Sequence, residues 1–339
     1  MYPIPYLIDT VFLGRLNKET IINKNKGIFI DKSGGNLLYS AYASRLWGKT
    51  AGIVSKVGVD YPEEWIEEIN LHGVDVSGVI KISGDIETRQ FFSISENDEV
   101  YTNNPQKFFL ELDRPIPKSL LGYAPINKRL DSRKICEEIT IKPEDIPDEY
   151  FDCHNIALCP LDFVTHSIIP AEFRSRGSGR IYFHASKGYM HSSFFTDLPP
   201  LVNSSTLFFT SEENARNLFL GKKENCWEIA EYISSFGVEI TVISNLNEGY
   251  YLFIQSSKQK FFIPCFPVNV LDLVGADDAF FGGFIAGYIK YFDPIIASAM
   301  GSVTASIKKE GSTAQFLLES LPELATGRLE KLSQEIKPC

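Results

Sequence analysis

Two adjacent carboxylates behind a turn of small residues, Gly275-Ala276-Asp277-Asp278, are the first feature of this sequence that could do chemistry. Residues 272–284 read Asp-Leu-Val-Gly-Ala-Asp-Asp-Ala-Phe-Phe-Gly-Gly-Phe. A tight turn that opens a helix leaves backbone N–H groups without intrahelical partners. With the helix dipole, those groups can cradle an anion such as a phosphate. A carboxylate in the same turn can accept a proton from a hydroxyl. Phosphoryl transfer needs that combination. Asp278 also has a plainer reading as a helix cap, and Asp277 sets a negative side chain beside the proposed cradle.

Such a turn must be positioned by a scaffold. Strands are expected over 6–14, 50–58, 155–161, 180–184, 206–210 and 239–244, and helices over 37–47, 62–72, 166–174, 211–220, 226–236, 280–291 and 297–307. Strands alternating with helices imply a mainly parallel sheet covered by helices. Residues 250–255 and 260–264 read as a hairpin. Residues 78–104 alternate apolar and polar side chains, as a half-exposed flap does, with a turn at Glu96-Asn-Asp-Glu99. Residues 105–140, broken by prolines at 105, 115, 117 and 125, read as an irregular extension of the flap.

The 339 residues are 44% hydrophobic and 22% charged, with a formal net charge of −10. That balance argues against nucleic acid as a partner, because phosphate backbones need a basic face. No apolar run is long enough for a transmembrane helix, and no membrane partner is expected. The start carries no signal-peptide pattern, and the six cysteines suggest neither a zinc site nor a disulfide framework, so a cytoplasmic location is expected. No Gly-x-Gly-x-x-Gly follows a strand with an acid about 20 residues on, which argues against a dinucleotide-binding dehydrogenase.

The 272–284 stretch resembles the C-terminal signature of the ribokinase-like (PfkB) carbohydrate kinases, Asp-Thr-x-Gly-Ala-Gly-Asp-Ala-Phe with a following Gly-Gly. Ser33-Gly34-Gly35, the helix to Gly48, and Ser55-Lys-Val-Gly58-Val-Asp60 resemble the family's N-terminal signature. The resemblance implies one ribokinase-like α/β/α sandwich over 1–339. Its small β-rich lid would comprise about 15–30 and 78–110, with the elaboration to about 140. It implies an ATP- and Mg²⁺-dependent kinase acting on a hydroxyl of a sugar, nucleoside or similar small molecule.

The resemblance also implies roles. Asp278 matches the general base, and the N–H groups of Gly275, Ala276, Asp277 and Asp278 match the anion hole. Asn17 and Glu19 match the sugar-binding end of the first strand motif, and Gly34, Gly35 and Asn36 bring backbone close to the acceptor. Tyr39 stands where an Asn usually binds the sugar; it would stack on a ring or pack in the core. Ser211 and Asn214 stand for the family's Asn-x-x-Glu, Ser244 and Gly249 bound its nucleotide loop with Leu246 in place of a glycine, and Gly311 lies near the adenine pocket. Asp277, where the family has glycine, would repel phosphate or bind Mg²⁺. Glu212 or Glu213 would replace the lost metal carboxylate or serve as ordinary first-turn helix acids. A homodimer through the lid is implied by analogy. His184 and His191 receive no catalytic role. Because Asp277, Leu246, Ser211 and Asn214 all depart from the pattern, the alternative is a pseudokinase that binds a sugar or nucleoside and acts through a partner.

Overall fold

Runs of β-branched and aromatic residues, each with the two side-chain parities of a strand, build the centre of the molecule. The computed structural model describes all residues except 1–6, 24–26, 85, 96–98, 126–129, 178 and 221–224. The turn expected at 96–99 therefore lies largely outside the described residues. The strands are β1 (Thr10–Leu13), β2 (Asn17–Asn23), β3 (Gly27–Gly34), β4 (Ala51–Gly58), β5 (Val74–Ile82), β6 (Arg89–Ile94), β7 (Val100–Tyr101), β8 (Asn155–Leu158), β9 (Arg180–His184), β10 (Leu207–Ser211), β11 (Ile240–Asn245), β12 (Gly249–Ile254), β13 (Gln259–Pro264) and β14 (Lys337–Pro338). The α-helices are α1 (Asn36–Leu46), α2 (Glu63–Leu71), α3 (Pro105–Glu111), α4 (Phe163–Ser175), α5 (Leu198–Val202), α6 (Glu212–Leu218), α7 (Cys226–Ser234), α8 (Ala276–Tyr291), α9 (Pro294–Lys309), α10 (Phe316–Glu319) and α11 (Pro322–Ser333).

Ten strands form one sheet in the order β14-β13-β12-β11-β10-β9-β8-β1-β4-β5. It is parallel from β11 through β5 and antiparallel from β11 to β14. The period of two divides its side chains between two cores. Phe12, Ala157, Tyr182 and Phe209 face α1, α8 and α9. Val11, Leu13, Ile156, Leu158, Phe183 and Phe208 face α4, α6 and α7. The result is the expected three-layer α/β/α sandwich.

A second sheet, β3-β2-β6-β7, forms the lid. Residues 78–82, expected in the lid, instead complete β5 at the edge of the main sheet, paired in parallel with β4. Their alternation reflects a half-exposed edge strand, which flap and sheet edge share. Part of the irregular 105–140 stretch is helical. Pro105 stands at the first position of α3, where a missing N–H costs nothing, and Phe108 and Phe109 pack under the lid on Ile22 and Phe91.

From Ala279 to Gly287 helix α8 is apolar and buried all round, and it is held on both sides by glycines. A side chain at Gly282 would strike the backbone carbonyl of Ser40 in α1, and one at Gly283 would strike Thr304 in α9. These close approaches fix the axis whose N-terminus carries Asp277 and Asp278.

Candidate active site

The turn ahead of α8 is shaped by Asp272. Its Oδ1 accepts from Val274 N at 2.7 Å, and it is fully buried. Leu271 N and Asp272 N both donate to the carbonyl of Lys309, at 2.7 and 3.2 Å. Gly275 then takes a left-handed φ of +75°, and a Cβ there would stand 2.5 Å from the Tyr39 ring. Both constraints demand glycine.

Helix α8 starts at Ala276, four residues before the expected start at 280, so the two acids lie on its first turn. Ala276 N is spent on Leu273 O at 3.2 Å, because the turn closes on itself. The N–H groups of Gly275, Asp277 and Asp278 have no acceptor among the described residues. Three of the four matched donors are thus open. Asp277 sits in ordinary helical backbone, outside the left-handed residues. The unusual dihedral that would favour glycine at 277 is absent.

These groups line a cavity of about 680 Å³. It lies at the carboxyl ends of the parallel strands, where α/β sheets place their ligands. Asp278 enters it from α8, and Ser40 Oγ holds the Asp278 carbonyl at 3.0 Å. His184, the last residue of β9, puts Nδ1 3.2 Å from Asp278 Oδ1. The angle is outside hydrogen-bond geometry, so this is a close polar contact rather than a bond. The imidazole is seated against Phe209 and Phe281. Asp277 also faces the cavity, with Oδ1 buried and unpartnered. Burial pushes its carboxyl up to about 6, while His184 and Ser244 pull it down. The Ser244 hydroxyl faces it without a bond of good geometry.

At the acceptor end, Glu19 is committed internally. Its Oε1 accepts from Gly35 N at 2.8 Å and its Oε2 from Tyr39 Oη at 2.7 Å. Burial pushes this carboxyl up to about 7, opposed by those two bonds. A Cβ at Gly34 would collide with the Glu19 carboxylate, so Gly34 makes room for a side chain. Tyr39 is 1% exposed and packs beneath Gly275 rather than lying open to stack on a ligand. Asn36 bonds Arg15 N at 2.9 Å and Pro160 O at 2.8 Å, bracing the ends of β1 and β8. Asn17 lines the cavity near Glu19.

The expected nucleotide residues are spread along the strand ends beyond this cavity. Ser211 caps α6 by accepting from Asn214 N at 3.3 Å. Glu213 is exposed and pairs with Lys187 at 2.6 Å, away from Asp277 as a direct partner. Glu212 pairs with Arg216 and accepts from Asn245 Nδ2 at 2.9 Å. Ser244 and Gly249 lie in the paired ends of the β11–β12 hairpin, whose turn is 246–248, and Gly249 packs against the Ile263 carbonyl. Lys309 is 3% exposed and donates to the Leu246 carbonyl at 2.5 Å. Gly311 packs under Phe316 and borders a separate cavity of about 540 Å³.

Several cavity residues carried no signal in the sequence reading. His184 is one; its place at a strand's carboxyl end was the available clue. Arg15 is another, just past β1, with its guanidinium unbonded among the described residues. Burial lowers its pKa, and Glu137, Asp162 and Asp131 oppose that. Burial and the neighbouring Asp162 push Asp131 up to about 6. Asp131 and Glu137 arrive from the irregular stretch after α3, which had no periodicity to read. No group of three or more His, Cys, Asp or Glu side chains is placed to hold a metal among the described residues.

Comparison with known proteins agrees with this geometry. Residues 187–321 match the model of the pfkB family carbohydrate kinases. A cytidine kinase of Thermococcus kodakarensis is 23% identical over 294 residues, covering 84% of this chain and 90% of the relative. The adenosine kinase of Sinorhizobium meliloti superposes with a TM-score of 0.69 at 16% identity, over 96% of this chain and 99% of its own. A ribokinase II-type protein of Escherichia coli, solved with ATP and Mg²⁺, gives 0.68 at 15% identity, over 96% and 100%. The signature on α8, the sandwich and its lid, and these relatives agree: residues 187–321 match the pfkB family carbohydrate kinases, and the chain as a whole has the ribokinase-like fold.

Proposed function

We propose that this kinase transfers the γ-phosphate of ATP to a hydroxyl of a nucleoside or sugar held between the lid and the carboxyl ends of β1, β8 and β9. The observation that carries this reading is the meeting of Asp278 and three open N–H groups on one wall of the cavity. As the acceptor oxygen attacks phosphorus, its proton passes to Asp278, the new O–P bond forms and the bond to the β-phosphate oxygen breaks. The N–H groups of Gly275, Asp277 and Asp278 stabilise charge on the transferred group. His184 orients the Asp278 carboxylate. Asp277, with an unpartnered oxygen, is the side chain that fits a nucleotide-bound Mg²⁺, which would neutralise phosphate charge.

Nucleosides are the acceptors to test first. Phe92 of the lid supplies an apolar surface to the cavity, while Arg15 and Gln90 supply donors. The cytidine kinase relative supports the same choice. A cytoplasmic reaction belongs to this proposal, and none of the six cysteines is in a disulfide. So does a homodimer through the lid, whose outer strands β3 and β7 each have an edge with no strand partner among the described residues.

The orphaned Asp277 oxygen also favours a second reading, an acceptor-binding protein without transfer. Calorimetry with ATP and Mg²⁺, followed by a transfer screen over nucleosides, pentoses and hexoses, separates the two. Saturable nucleotide binding with turnover establishes the kinase. No nucleotide binding at millimolar concentration, with an acceptor still bound, selects the second reading.

A further inference from the structure

Lys308, near the C-terminus of α9, is fully buried, and the phosphoryl-transfer steps above leave its charge unused. Its Nζ donates to the Gly311 carbonyl at 2.8 Å and stands 3.7 Å from Asp272 Oδ2. It also lies 5.4 Å from the centre of the Tyr39 ring. Each neighbour touches the site. Asp272 shapes the turn through Val274 N. Tyr39 packs beneath Gly275 and donates to Glu19, which holds Gly35 N. One ammonium therefore connects the phosphate-cradle turn to the acceptor wall.

Burying an ammonium is costly unless its surroundings compensate it. Here a carbonyl, a carboxylate and an aromatic ring supply that compensation. The nearer carboxylate oxygen of Asp272 has no hydrogen bond, so the ammonium is its charge partner. A neutral side chain of equal length would fill the space and leave Asp272 as an uncompensated buried charge. The turn whose N–H groups must face phosphate would then hang on a carboxylate stripped of its cation.

We infer that Lys308 is a positioning residue that acts as a built-in monovalent cation, holding the cradle turn in its anion-binding form from behind. The inference rests on the kinase reading. Its geometry makes a specific demand: the chain carries its own cation and needs none from solution at this place. Shortening Lys308 to alanine opens an ammonium-sized space lined by Gly311 O, Asp272 Oδ2 and the Tyr39 ring. A small alkylammonium ion fits that space and can restore the charge.

The test compares wild type, Lys308→Ala, Lys308→Met and the charge-neutral pair Lys308→Met with Asp272→Asn. Transfer from MgATP to the best acceptor of the wild-type screen is measured with and without ethylammonium chloride, with choline chloride matching ionic strength. A wild type that transfers no phosphate sinks the kinase reading before any variant is compared. With an active wild type, turnover is expected to fall by about tenfold to a hundredfold in Lys308→Ala and Lys308→Met. The acceptor KM should stay within about threefold. Ethylammonium should raise Lys308→Ala at least about fivefold and leave wild type and Lys308→Met unchanged. The neutral pair should keep the wild-type melting temperature within a few degrees yet remain slow, separating charge from folding. Wild-type turnover in Lys308→Met or in the neutral pair overturns the inference. So does a Lys308→Ala enzyme that folds but ignores ethylammonium.

Discussion

The cradle wall and the nucleotide-side loops treat their polar groups in opposite ways. At the start of α8, three N–H groups, one oxygen of Asp277 and the Asp278 carboxylate face the cavity without a hydrogen-bonded partner among the described residues. Around α6 and the β11–β12 turn, Ser211 caps a helix, Glu213 pairs with Lys187, Glu212 holds Asn245, and Lys309 closes on Leu246. Donors and acceptors left unspent in a buried place are costly, and they persist where a ligand supplies the missing bonds. On the proposed function, this contrast assigns phosphate handling to one helix end and an internal role to the neighbouring loops.

The sharpest break of this comparison is Asp278→Asn. Turnover should fall about a thousandfold while MgATP still binds, read by coupled ADP release and calorimetry. Retained turnover would remove the base from this wall.

A second test uses pH. Glu19 is raised from 4.5 to about 7 by burial, so the folded state holds its proton more tightly than the unfolded chain. Its contribution to stability is present below 4.5 and is lost as pH rises through about 7. Glu19→Gln should flatten the decline of urea-unfolding free energy between about pH 5 and 8, by on the order of 2–3 kcal/mol. An unchanged slope would mean Glu19 is ionised in the fold at low cost.

Asp277→Asn sharpens the cradle side further. It should weaken MgATP binding about tenfold if the carboxylate faces the metal; tighter binding would show a carboxylate that repels phosphate. Smallest of all, Ser211→Ala should cost about 1 kcal/mol of stability through the lost cap and leave turnover within about twofold. A large loss of turnover there would return Ser211 to the nucleotide site.

Sequence alone was most informative where one local pattern determined one geometry. The alternating strands and helices predicted the sandwich, and the turn with its acids predicted the α8 wall. The reading was weakest where two structures share a pattern, as for β5, which alternates like a flap because it is an edge. It was silent where contacts come from distant segments. Arg15, Asp131 and Glu137 converge from β1 and an aperiodic stretch, and His184 meets Asp278 only once β9 and α8 are packed together. Tyr39 shows a further limit. Its burial was foreseeable from an apolar helix, but its bond to Glu19 depends on the register between β2 and α1.

The glycines along α8 have a consequence for how this chain can change over time. Because Gly282 and Gly283 seat the helix by contact with a neighbouring backbone and a threonine, the height of its N-terminus does not hang on which large side chains fill the surrounding core. Mutational drift can exchange the phenylalanines around that axis for other apolar residues of similar bulk, one or two at a time, without shifting the cavity-facing amides. A machine registered in this way tolerates extensive divergence, at the cost of two positions where even a methyl group is too much.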